Sequence, residues 1–218
     1  MGGRGASGAG KHRKISGTTA SGKPGRFNDM TSNFAGMSLH EFENAVRGKS
    51  TEYLGGFDKD GNLIIAGTSG KKGAVIVPTG HPDFSKITTI THNHPSDANR
   101  PLGGTFSEAD VKILGRYSQL NSMRAVASGK GEHSYIMQKS SSGKANPSGL
   151  KNAALSAEMT NKLSAMGNSA VAKARKNVGR PLTTAEYNRV FIGGMKNAWS
   201  DIAKHNGYDY ITLKKAPW

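Results

Sequence analysis

A chain of 218 residues with no cysteine, 29 glycines and 35% hydrophobic residues has room for one domain with a core. It excludes disulfides and thiol chemistry, and it leaves any metal to His, Asp and Glu. The formal charge of +15 favours anionic partners, nucleic acid first among them, without naming a reaction.

Residues 1–37 read as a flexible basic arm. The stretch is rich in Gly, Ser and Lys, with six Lys/Arg against one Asp. It carries too little apolar surface to offset the entropy of ordering it. Such an arm is a candidate for non-specific phosphate contact. The opening residues lack the apolar block of a signal peptide, and no apolar run reaches the roughly 18 residues of a membrane span. The expectation is a cytoplasmic protein of a bacterial host, or a virion-associated one, with no membrane partner.

Ser38 is placed to cap a short helix whose Leu39, Phe42, Ala45 and Val46 share one face. Tyr53–Phe57 and residues 63–66 read as a hairpin around Asp60-Gly61, a pair suited to the positive φ of a tight turn. Residues 74–77 and 87–91 read as further strands. Residues 95–106 are a loop, and a helix starts near Ser107 with Val111, Leu114, Tyr117 and Leu120 at helical spacing. Residues 124–127 and 134–137 read as a closing pair of strands around the turn at Gly129–Gly131, with His133 at the entry to the second.

Residues 139–149 form a polar linker. Beyond it the sequence predicts a helix over 150–177 and a second one opened by the capping box Thr183-x-x-Glu186. Tyr187, Val190, Phe191, Met195, Trp199 and Ile202 make an apolar stripe on that second helix, either core or a face that docks a protein partner through Tyr187, Phe191 and Trp199. Gly207 ends it, and Tyr208–Leu213 is strand-like. Residues 151–218 hold eleven Lys/Arg against four Asp/Glu, so these helices are a second candidate for nucleic-acid contact.

Chemistry concentrates in His92-Asn93-His94-Pro95-Ser96 and Ser107-Glu108-Ala109-Asp110. Positions i and i+2 of a strand share a face, so two imidazoles there can share a cation. Asp110, in the first turn of the next helix, supplies a third ligand if that turn folds over the strand end. Two His and one carboxylate leave an open fourth position, the pattern of a catalytic zinc site. Glu52, just before the strand Tyr53–Phe57, is the candidate base. Ser107 is the candidate donor to an oxyanion. Each feature alone has an ordinary reading: Ser107-x-x-Asp110 is also a capping box, and Glu52 also a surface carboxylate.

Together these residues resemble the JAMM (JAB/MPN/Mov34) metalloenzyme family. The likeness lies in Glu52 opening a Gly-containing strand, in His92 to Ser96, and in Ser107-x-x-Asp110, and it covers roughly residues 38–138. The HNHPS string, with Phe57-Asp58 and Gly61-Asn62-Leu63-Ile64 before it and Glu132-His133-Ser134-Tyr135-Ile136 after it, is similar to the RadC branch. The MGGRGASG opening resembles the starts of some phage proteins. The resemblance implies an α+β fold, a curved mixed β-sheet with flanking helices of the JAMM/cytidine-deaminase kind, followed here by a helical extension from residue 150. It implies zinc-dependent hydrolysis of peptide or isopeptide bonds in a peptide or protein substrate. Its roles carry over as zinc ligands His92, His94 and Asp110, base Glu52 and oxyanion helper Ser107. Twelve residues separate His94 from Ser107, against the seven usual in the family. Asp97 and Glu108 are the acids nearest to hand should Asp110 be carried out of reach.

Overall fold

The computed structural model describes residues 13–71, 76–98, 103–128 and 134–213. Its strands are β1 Arg13–Thr18, β2 Pro24–Asp29, β3 Tyr53–Phe57, β4 Leu63–Thr68, β5 Thr89–His94, β6 Ser122–Ala127, β7 Ser134–Lys139 and β8 Tyr208–Leu213. The helices are α1 Leu39–Arg47, α2 Glu108–Arg116, α3 Pro147–Leu155, α4 Ala157–Val178 and α5 Thr184–His205. All eight strands join one open sheet in the order β1-β2-β4-β3-β5-β6-β7-β8. β5 and β6 are parallel, and the other neighbouring pairs are antiparallel. The parallel pair needs a crossover, which the segment containing α2 supplies. The α+β class with a mixed sheet is therefore as expected.

Alternation along the strands sorts residues to two covered faces. On one face α1 packs Phe42 and Val46 against Phe34, Phe57, Ala66 and Val126. On the other, α2, α3 and α5 bring Val111, Leu114, Leu150, Trp199 and Ile202 over Ile90, Met123, Ala125, Tyr135 and Met137. Each large side chain buried this way contributes roughly 1.5–3 kcal/mol against exposure. Gly55 and Gly56 let the two layers close on β3. A Cβ on Gly55 would lie 2.7 Å from Phe42 Cε1, and one on Gly56 would lie 2.7 Å from Ile87 Cδ1. A buried ion pair pins α1 to the sheet: Arg124 Nε and Nη2 donate to Glu43 at 2.6 and 3.1 Å, and Thr91 Oγ1 adds a third bond at 2.9 Å.

Several expected elements stand as read. Ser38 and Thr183 both make full capping boxes, and Gly61 takes φ 83° in the β3–β4 turn. Of the strand expected at 74–77, residues 74 and 75 lie outside the described residues, and Val77 makes one bridge to Thr18. The expected turn at 129–131 and His133 also lie outside them.

Two expectations about organisation are corrected. Residues 13–37 are not a loose arm: β1 and β2 form a hairpin, and β2 pairs with β4. Ile15 and Phe27 are its buried anchors, 5% and 0% exposed. Its glycines serve close packing: a Cβ on Gly17 would stand 2.4 Å from the Val77 carbonyl oxygen. Residues 1–12 of the expected arm lie outside the described residues. Nor is the C-terminal part a separate appendage. The linker stops early, because Asn146 caps α3 by accepting from Gly149 N–H at 2.9 Å. The helix expected over 150–177 breaks at Ser156, whose backbone is extended. β8 then pairs with β7 along its length, so residues 13 to 213 share one sheet.

Candidate metal centre

Strand β5 places Ile90, His92 and His94 on the face toward α2, and Thr91 and Asn93 on the face toward α1. His92 is fully buried, while His94 lines a cavity of about 470 Å³. Their Nε2 atoms stand 2.9 Å apart. Asp110, 4% exposed in the first turn of α2, completes the group. Its Oδ1 lies 3.1 Å from His92 Nε2, and its Oδ2 lies 3.5 Å from His94 Nε2. One ligand atom from each residue fits within a 4.8 Å cluster. Of the three acids weighed from sequence, Asp110 is the one in that cluster. Two imidazole nitrogens and a carboxylate oxygen aimed at one point, in a largely buried setting, form a donor set able to hold a divalent cation.

The Ser107 capping box is also what aims this carboxylate. Ser107 N–H and Oγ–H both donate to Asp110 Oδ2, at 2.7 and 2.8 Å, and Ser107 Oγ accepts from the Asp110 N–H at 3.3 Å. The two alternative readings of Ser107-x-x-Asp110 are thus one arrangement. The hydroxyl proton of Ser107 is spent on Asp110, so the role visible for this side chain is orienting that carboxylate.

The loop that follows His94 comes back to the site through anchors far along the chain. His94 Nδ1 donates to the Gly104 carbonyl at 3.0 Å, which leaves Nε2 free to face Asp110. The hydroxyls of Thr105 and Tyr210 share a hydrogen bond. Trp199 Nε1 donates to the Phe106 carbonyl at 2.9 Å, one residue before the capping box. Trp199 is fully buried. It therefore leaves the expected docking face Tyr187/Phe191/Trp199, because its ring is core and its N–H is engaged inside. Phe191 also turns inward, lying where a Cβ on Gly167 of α4 would stand 2.4 Å away, while Tyr187 stacks on Phe191 and is 37% exposed.

Glu52 lines the same cavity as His94, Ser107 and Asp110. Its proximity shows in the electrostatics. Burial works against a charge on His94, but the hydrogen bond and charge of Asp110, with the Glu52 charge and the Gly104 carbonyl, raise its pKa above the ordinary histidine value. Burial likewise disfavours the Asp110 anion, and the two imidazoles overcome this and hold its carboxyl well below the usual carboxylate range. His92 Nδ1 is buried with no hydrogen-bond partner among the described residues.

Sequence reasoning missed four contributors. Thr19 and Ser21, from the β1–β2 turn, form part of the cavity wall. That turn is docked by Thr18 Oγ1 on the Tyr117 hydroxyl at 2.7 Å. Lys112, also in the lining, stands two residues past Asp110. Asn93 holds the segment that carries Glu52; its place between two ligands of a strand was the only signal. Compared with protein-family models, with curated proteins and with solved structures, the chain matches none. Among the described residues no helix is long and apolar enough to cross a membrane.

Proposed function

We propose that this chain is a zinc-dependent hydrolase of the JAMM type, close to the RadC branch, that cleaves a peptide or isopeptide bond in a peptide or protein substrate. The observation that carries the reading is the meeting of His92, His94 and Asp110 at one point in spite of the longer loop. The mixed sheet with helices on both faces agrees with the curved sheet of that family. Zinc on this donor set would activate a water and polarise the scissile carbonyl. Glu52 would accept the proton of the attacking water and deliver it to the leaving amine. Asp110 stays ionised and so keeps its charge for the cation. Ser107 would turn to an oxyanion only by giving up one of its two bonds to Asp110.

The test is the zinc content of the purified full chain beside that of His92→Ala. About one zinc per chain in the wild type and a loss in the variant are expected. A wild type that takes up no zinc ends the reading.

The charge of +15 favours a second reading, in which the chain associates with nucleic acid as a phage structural or assembly protein. Described basic residues sit on the exposed side of α4, at Lys162, Lys173, Arg175 and Lys176. Binding through phosphates requires affinity to fall steeply with salt, and a flat dependence excludes it.

A further inference from the structure

Asn93 stands between the two histidines of β5, and its side chain leaves the strand on the opposite face. The amide is fully buried, and its partners are backbone groups of one short stretch, residues 49–53. Its Oδ1 accepts from Tyr53 N–H at 2.7 Å, and its Nδ2 donates to the carbonyls of Thr51 at 3.1 Å and Lys49 at 3.4 Å. Glu52 lies inside that stretch. Its own carbonyl accepts from the Thr68 hydroxyl. Asn is suited to this position because a short side chain must offer an acceptor and two donors at once. Satisfying buried backbone would be reason enough for such an amide. What lifts it beyond that is where the tied segment goes: its one carboxylate lines the cavity that also holds His94 and Asp110.

We propose that Asn93 is a positioning residue for the base, a latch that fixes the Glu52 segment to the strand bearing two metal ligands. Three consecutive residues then set the geometry of the site. His92 and His94 face the cation, and Asn93, pointing the other way, sets the distance of Glu52 from it. This rests on the reading of Glu52 as the base of a metal site.

The full chain loaded with Co²⁺ gives a readout that needs no substrate, the pH profile of its visible spectrum. Four proteins are compared: wild type, Glu52→Gln, Asn93→Ala and the double variant. Glu52→Gln is expected to move the midpoint. Asn93→Ala is expected to move it in the same direction, and the double variant no further than Glu52→Gln alone. Co²⁺ affinity in Asn93→Ala should stay within about tenfold of wild type, the low end of what outer partners of ligands cost. An Asn93→Ala profile that overlays wild type, or shifts that add in the double variant, overturns the latch. A wild type that binds no Co²⁺, or a Glu52→Gln profile that does not move, defeats the hydrolase reading itself, and the latch falls with it. Should Asn93→Ala not fold, Asn93→Asp keeps the acceptor for Tyr53 and loses both donors, and it takes the same comparison. Amide exchange on the wild type gives an independent check: the Tyr53 N–H must be as protected as that of Leu54, and exchange at loop rates overturns the proposal.

Discussion

Asp110 reaches the imidazoles from a helix start held by residues far along the chain, whereas Glu52 reaches the same cavity from a segment held by its near neighbours in the sheet. On the ligand side, Trp199 and Tyr210 grip residues 105 and 106, and the Ser107 box then sets the carboxylate. On the base side, Asn93 of β5 and Thr68 of β4 hold residues 49–53. The contrast explains how a long loop after His94 can still bring Asp110 to the imidazoles. The return path of that loop is fixed by the C-terminal segments, so extra residues between its ends change little. On the proposed function, damage to the C-terminal region should therefore reach metal binding, and damage beside β3 should reach Glu52.

The largest effect expected is on the ligand side. Asp110→Ala removes one of three ligands together with half of a capping box, and metal affinity should fall by more than the about 10–100-fold typical of an outer partner. Competition with Co²⁺ or a chelator measures it. A smaller and graded loss follows from pH. Metal uptake needs neutral imidazoles. The His94 proton affinity is raised and that of Asp110 strongly lowered, so His94 is protonated at higher pH than an ordinary histidine while Asp110 stays charged. Affinity is therefore full above the raised His94 pKa and weakens as pH falls through it, by up to about tenfold per pH unit for each proton displaced. A titration of metal affinity from about pH 8 to about pH 5 shows the slope.

Trp199→Phe sharpens the comparison, because it keeps an aromatic ring in the core but removes the indole N–H that donates to the Phe106 carbonyl. A buried acceptor left unpaired costs about 1–3 kcal/mol, read as a lower Tm. Metal affinity should fall about tenfold, as for an outer partner, while exchange at the Tyr53 amide stays slow. The smallest effect on the site belongs to Gly194→Ala. A Cβ there would lie 2.5 Å from the Met166 carbonyl oxygen, forcing α4 from α5 at about 1–3 kcal/mol, with metal content unchanged. If that variant loses metal as readily as Trp199→Phe, the specific anchoring of residues 105 and 106 is not what matters.

Legibility followed how local each feature is. The alternation of His92 and His94 on a strand, the cap at Ser38 and the boxes at Ser107 and Thr183 rest on neighbours within a few residues, and they were visible in the sequence. The hairpin of β1 and β2 was not. Its strands RKISGT and PGRFND bury little but Ile15 and Phe27, and pairing with β4 decides their conformation. Gly17 and Gly25 read as looseness, yet each sits where a side chain would strike Val77 or Ile76. Trp199 read as either core or docking face, because helical spacing does not say which partner an apolar face will meet. Asp110 was legible as a residue type, while its arrival at the histidines depended on Trp199 and Tyr210, about 90 and 100 positions away.

The orphaned nitrogen of His92 bears on how the proposed site would take up a cation. Hydrogen-bond geometry assigns the ring's proton, in the absence of a cation, to Nε2, where Asp110 Oδ1 waits at 3.1 Å. A cation needs that nitrogen bare, so loading must move the proton to Nδ1, which has no acceptor among the described residues. Capture of a metal would then be coupled to a change of tautomer at a nitrogen that is buried without a partner in either form.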